Sequence, residues 1–194
     1  MKQFITNEMD KTILVCQAIR SDAILISQIE TVSKKIEASI RAGGKVLIAG
    51  NGGSAADAQH FAGEFVSRFH FDRPGLPAIA LTTDTSILTA IGNDYGYEKL
   101  FSRQVQALGK TGDVFVAIST SGNSKNVLAA IAEAKHQGMY VIGLTGAGGG
   151  AMKLECDECL LMPSNETPKI QEGHILVEHI ICGLVESAMF TPPA

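Results

Sequence analysis

Five apolar runs, uninterrupted by alternating polar residues, constrain this chain more than any other feature. Val46-Leu47-Ile48-Ala49 and Val114-Phe115-Val116-Ala117-Ile118 are the clearest; the others lie near 77–82, 140–144 and 159–162. A strand with one wet face alternates apolar and polar residues, so a continuous apolar strand is covered on both faces. Stretches with helical spacing follow these runs, near 54–67, 84–91, 98–108, 124–137, 149–155 and 168–189. This alternation predicts an α/β fold, a parallel sheet held between two helical layers. Two further helices open the chain. In the second, Ile29, Val32, Ile36 and Ile40 recur at helical spacing and Gly43-Gly44 ends it.

A length of 194 residues fits one domain, since domains run about 100–200 residues. The expected division is N-terminal helices over 1–43 and an α/β core over 44–190. With 45% hydrophobic residues the chain can build a substantial core. A net charge of −4 gives no global field for nucleic acid. Acids interrupt the apolar residues of Met1–Asp10, unlike a signal peptide. No apolar run approaches the roughly 20 residues of a membrane span, so no membrane role is expected. Pro192-Pro193 is read as a frayed end. Cys16, Cys156, Cys159 and Cys182 are few for the length and fit reduced thiols in a cytoplasm. Cys156-Asp157-Glu158-Cys159 has C-x-x-C spacing but no second pair, and its acids oppose thiolate formation. An incidental pair at the start of a strand outweighs a redox or zinc role.

Two small-residue stretches carry the first chemical signal. Gly50-Asn51-Gly52-Gly53-Ser54 and Ser119-Thr120-Ser121-Gly122-Asn123-Ser124 each follow a buried strand and precede a helix. Small residues let the backbone approach a ligand. A helix N-terminus adds unpaired N–H groups and partial positive charge, which suit phosphate. In the flavodoxin-like strand order 2-1-3-4-5, the strands before these loops are neighbours at the topological switch point, where ligands bind. Capping competes with ligand binding at both loops: Ser124 as an N-cap, Ser54 with Asp57 as a capping box. Gly146-Ala147-Gly148-Gly149-Gly150-Ala151 imitates a dinucleotide fingerprint but follows the fourth strand, not the first.

Titratable residues add a second signal. His60 and Glu64 stand four apart on the helix after the first loop, a spacing that serves metal ligation or acid–base work as well as a surface ion pair. On the last helix Gln171, Ile175 and His179 form one i,i+4 ridge, with His174 about 140° away from His179 around the axis. Either histidine reads equally as a satisfied core residue. Asn93-Asp94 after Gly92 reads as ordinary turn chemistry. His70, His136, Arg68, Arg73 and Arg103 carry no independent signal.

Taken together, Ala49–Phe65, Gly92-Asn93-Asp94-Tyr95-Gly96, Ile118–Ser124 and Thr167-Pro168-Lys169-Ile170-Gln171-Glu172 resemble the sedoheptulose-7-phosphate isomerases (phosphoheptose isomerases) of the sugar-isomerase (SIS) superfamily. The resemblance runs nearly end to end. It implies a three-layer fold on a five-stranded parallel sheet, assembled as a homotetramer. It implies sugar-phosphate contacts from Asn51, Gly52, Gly53, His60, Glu64, Asn93, Asp94, Ser119, Thr120, Ser121, Ser124 and Gln171. It implies one zinc ion per subunit on His60, Glu64, Gln171 and His179, which favours His179 over His174. Lys169 stands where many relatives have Arg, and a lysine does not replace a bidentate contact. The reaction implied is D-sedoheptulose 7-phosphate to D-glycero-D-manno-heptose 7-phosphate, with Glu64 as base and His179 as acid. A carboxylate held on zinc is a poorer base, so the two roles compete at Glu64. The rival of another class is a non-catalytic SIS scaffold of the DnaA initiator-associating type. Its members generally lack the catalytic Glu and the C-terminal His, both present here. A second rival is an isomerase acting on another sugar phosphate.

Overall fold

The computed structural model describes residues 1–192; of the Pro192-Pro193 pair, Pro193 lies outside the described residues. Helices α1 (Lys2–Ser21) and α2 (Ala23–Arg41) open the chain. Asp22 joins them and caps α2, its carboxylate accepting the Ile24 and Leu25 N–H groups at 3.0 Å. Then come β1 (Val46–Gly50), α3 (Gly53–Val66), β2 (Ala78–Ala80), α4 (Thr85–Tyr95), a 3-10 turn (Tyr97–Lys99) and α5 (Ser102–Leu108). The chain continues with β3 (Val114–Ile118), α6 (Lys125–His136), β4 (Tyr140–Gly146), α7 (Met152–Glu155), β5 (Glu158–Met162) and α8 (Thr167–Met189). All strand pairs are parallel, in the order β2-β1-β3-β4-β5.

Continuous apolar strands bury both faces, as the sequence predicts. Strand side chains alternate between faces, so Val46, Ile48, Val114, Val116 and Ile118 join one core with α1, α2, α3 and α8. Leu47, Ala49, Phe115 and Ala117 join a second core under α5, α6 and α7. Val46, Leu47, Ile48 and Phe115 are fully buried, each worth about 1.5–3 kcal/mol of transfer from water. The α2 positions Ile29, Val32, Ile36 and Ile40 all enter the first core.

Several boundaries differ from the sequence reading. Gly92-Asn93-Asp94 is not a turn: α4 runs through it, because Asp84 caps the helix start and the helix ends only at Gly96 (φ +83°). The stretch 98–108 is broken between the 3-10 turn and α5, and the stretch 149–155 shrinks to α7 because Gly149 and Gly150 adopt positive φ. No capping box forms at Ser54 and Asp57; α3 begins and ends one residue earlier than expected, with Gly52 at its N-cap (φ +57°, ψ −121°), a conformation suited to glycine. No single helix among the described residues is long and apolar enough to cross a membrane.

Candidate active site

The parallel register pairs Gly50 with Ile118, so the two small-residue loops leave adjacent strands at the same end of the sheet. In the second loop Ser119 is buried, and its Oγ lies 2.9 Å from Ser124 Oγ and 3.4 Å from Ser121 Oγ. Ser124 occupies the N-cap of α6, yet its hydroxyl makes no capping bond. Three hydroxyls therefore cluster at a helix start whose first N–H groups have no side-chain cap, the arrangement an anion uses. Thr120 is half-buried, and its carbonyl accepts the Gly146 N–H at 3.2 Å.

The false dinucleotide motif has a structural role here. Its loop braces the serine loop from behind: Asn123 Oδ1 accepts the Ala151 N–H at 3.0 Å, and the Gly122 carbonyl accepts the Met152 N–H at 3.1 Å. A β-carbon at Gly122 (φ +67°) would collide with the Gly149 carbonyl, so the two backbones touch only because that atom is missing.

The first loop holds Asn51 above a cavity of about 310 Å³ lined by Gly52, Thr82, Thr89, Gly92 and Tyr97 among others. Asn93 and Asp94 are exposed, and Asn93 Nδ2 donates to Asp94 Oδ1 at 2.8 Å. Asp94 lines a different cleft, between α4 and α5, so this chain alone does not bring it to the loops.

Helices α3 and α8 supply the titratable groups. His60 Nε2 lies 2.8 Å from His179 Nε2 and 3.5 Å from Glu64 Oε1. The imidazoles meet edge to face, with centroids 5.0 Å apart, and Phe69 packs on the far side of His179. One ligand atom from each of His60, Glu64 and His179 falls within 4.8 Å of the others. Two imidazoles and a carboxylate form a donor set that zinc accepts, so these residues fit a metal. Gln171, the fourth residue of the expected ligand set, lies against the first loop. Its amide sits so close to Gly53 that a β-carbon there would collide with it. Eight residues separate Gln171 from His179 on α8, two i,i+4 steps along one ridge of the helix.

The other α8 histidine is a core residue. His174 and Glu178 are fully buried, and none of their side-chain nitrogens or carboxyl oxygens has a hydrogen-bond partner. Burial pushes the His174 imidazole down to about 4. Burial, reinforced by Asp57, pushes the Glu178 carboxyl up to about 8. Each shift favours the neutral form, which lowers the cost of leaving the group unpaired. Cys156 and Cys159 turn their thiols together over Gly143 without a disulfide. Lys169 is buried and donates to Thr12 Oγ1 at 2.9 Å and Glu172 Oε1 at 3.0 Å, which ties α1 to the first turns of α8.

Some important residues gave no signal in the sequence. Arg73 donates to the Glu64 carbonyl at 2.8 Å and the Phe65 carbonyl at 2.6 Å, capping the C-terminal end of α3. It also pairs with fully buried Glu186 at 3.0 Å. Asn126 and Tyr97 both bond Asn51. The Arg73–Glu186, Asn51–Asn126 and Asn51–Tyr97 pairs span sequence separations of 46 to 113 residues, beyond the reach of local patterns.

A doubly wound sheet with two small-residue loops at its switch point defines a class, and the class has a matching model: residues 13–146 match the SIS domain. Full-length relatives narrow it. The chain is 63% identical over 187 residues to a phosphoheptose isomerase of Burkholderia pseudomallei, covering 96% of this chain and 95% of the relative. It is 60% identical over 190 residues to that of Aneurinibacillus thermoaerophilus, covering 98% and 96%. The solved phosphoheptose isomerase of Neisseria gonorrhoeae superposes with a TM-score of 0.90 at 43% identity, over 96% of this chain and 98% of that one. The chain belongs to the phosphoheptose isomerase family.

Proposed function

We propose that this chain isomerises D-sedoheptulose 7-phosphate to D-glycero-D-manno-heptose 7-phosphate, the first step toward nucleotide-activated heptose. The observation that carries the reading is the convergence of His60, Glu64 and His179 in a protein whose full-length relatives are phosphoheptose isomerases. Ketose–aldose isomerisation removes a weakly acidic proton next to a carbonyl and returns it to the neighbouring carbon. A base must carry that proton, and an acid must serve the two oxygens. Glu64 is the base, taking the proton from C1 of the ketose and delivering it to C2. His179 is the acid, donating to O2 and taking the proton from O1. The contact with His60 orients it, because at 2.8 Å one of the two facing nitrogens donates and the other accepts.

Ser119, Thr120, Ser121 and Ser124 anchor the phosphate, and that remote binding energy positions the reacting end. Asn51, Gly52, Gly53 and Gln171 hold the sugar, and Asn93 and Asp94 reach it from α4 of a neighbouring copy. Zinc on His60, Glu64, Gln171 and His179 would polarise the substrate carbonyl as a Lewis acid. The chain works as a single domain in a homotetramer, and its unpaired cysteines suit the cytoplasm. The scaffold reading is disfavoured, because Glu64 and His179 are both present and in one cluster.

An isomerisation assay of metal-analysed protein on sedoheptulose 7-phosphate, against other ketose phosphates, tests the proposal. Turnover of another ketose phosphate with none of the heptulose would sink it.

A further inference from the structure

The Asn51 amide is largely committed before any ligand binds. Its Nδ2 donates to Asn126 Oδ1 at 2.8 Å. Its Oδ1 accepts from Asn126 Nδ2 at 2.8 Å and from the Tyr97 hydroxyl at 2.9 Å. A carboxamide offers two N–H groups and two lone pairs, so one N–H of Nδ2 is left for a ligand. The three partners come from three places: the loop after β1, the first turn of α6 and the 3-10 turn after α4. Asn126 is only 2% exposed, so water does not compete for its half of the pair. It also follows Ser124, at the N-cap of α6, by two residues.

We infer that Asn126 and Tyr97 are positioning residues that present Asn51 to the sugar through a single N–H and fix its distance from the phosphate loop. The inference rests on the reading of Asn51 as a sugar contact. The phosphate and the reacting end of the substrate are held by loops on different strands, β1 and β3. The reciprocal amide pair joins those loops directly, so a substrate anchored at the serine loop meets Asn51 at one set separation. Misplacing a reactant by about 1 Å can cost about 100-fold in rate, and a loop free to swing would do that. Tyr97 is 63% exposed and buries little, so its hydroxyl contributes the bond to Asn51 rather than packing.

A kinetic double-mutant cycle separates this role from a merely structural one. It compares wild type, Asn51→Ala, Asn126→Ala and the double variant on sedoheptulose 7-phosphate, with Tyr97→Phe alongside. Inhibition by inorganic phosphate reports on the serine loop. Asn126→Ala is expected to lower kcat/KM by up to about 100-fold while phosphate inhibits it as it does wild type. The double variant is expected to fall no further than Asn51→Ala alone. Tyr97→Phe removes one hydrogen bond, an expected loss of about 2–10-fold. Asn126→Ala within about twofold of wild type, or single losses that multiply in the double variant, overturns the inference. If Asn126→Ala does not fold, Tyr97→Phe takes its place in the cycle with Asn51→Ala and the same two outcomes decide. A wild type inert toward sedoheptulose 7-phosphate overturns the functional reading and this inference with it; an active wild type with indifferent variants overturns the inference alone.

Discussion

Ser124 stands where a capping residue belongs and does not cap; its hydroxyl turns to Ser119 instead, 2.9 Å away. A lost N-cap costs about 1 kcal/mol. Ser124→Ala is therefore expected to leave stability almost unchanged while raising the KM for the sugar phosphate. Urea unfolding beside steady-state kinetics checks both halves, and a stability loss with normal KM would make it a cap after all. In the proposed reaction Glu64 is the residue on which the chemistry depends most. Glu64→Gln keeps the shape and removes the base, so turnover is expected to fall by at least about 100-fold. Near-normal turnover would assign the proton transfer to another group. His60 and Glu64 were legible in the sequence because four residues of helix put them on one face. His174 and His179 were not separable that way, since both interrupt the same apolar helix; burial in the folded chain separates them.

At the level of elements, the segment after α3 shows how a distant helix holds the one that carries the proposed base. Glu186 on α8 accepts the Phe69 N–H at 2.9 Å, the His70 N–H at 2.7 Å and the Arg73 guanidinium at 3.0 Å. Arg73 in turn caps the end of α3 that carries Glu64, and Phe69 packs on His179. Burial alone would raise the Glu186 carboxyl, but the two amides and Arg73 outweigh it and hold it below its ordinary value. A carboxyl lowered in the folded state adds stability above its unfolded value, near 4.5, and loses it as the pH falls through the folded value. Removing one partner of a buried ion pair costs about 3–5 kcal/mol. Glu186→Gln is accordingly expected to destabilise the protein by about that amount at pH 7, with the gap to wild type narrowing below pH 4.5. Urea unfolding at pH 7 and at acid pH measures it; a gap independent of pH would show that the carboxylate charge is not what anchors the segment. None of this was visible in Arg73 or Glu186 as sequence, whereas α2 was, because its apolar spacing is local. The extent of α4 was misread for the converse reason: Gly92 resembles a stop, but the conformation that ends the helix belongs to Gly96.

For the whole molecule, the parallel α/β architecture was the most legible property, because continuous apolar strands separated by helices admit few topologies; the order 2-1-3-4-5 was assumed and is the one observed. What the sequence hid is the face left uncovered by that topology. Helices α1, α2 and α8 leave an apolar groove of about 530 Å³ lined by Ile19, Ile26, Ile29, Leu176, Ile180 and Leu184. Phe4, Ile5, Met9, Ile13 and Leu14 on α1 are also exposed. Large apolar patches are uncommon on monomers and mark contact surfaces, which supports assembly of copies of this chain through these helices. The groove shares Leu176, Ile180 and Leu184 with a second cavity, of about 430 Å³, that reaches His179 and Phe69. The apolar groove and the proposed catalytic histidine therefore share α8. Leu184 is 43% exposed, so Leu184→Asp costs the single chain little core but places a charge in the groove. Light scattering on the eluting protein is expected to show wild type as a tetramer and Leu184→Asp as a smaller species. Turnover should fall with the mass, since the groove opens onto the cavity that reaches His179. A Leu184→Asp protein of unchanged mass would place the subunit interface elsewhere, and a smaller species with full turnover would show that each chain completes its own site.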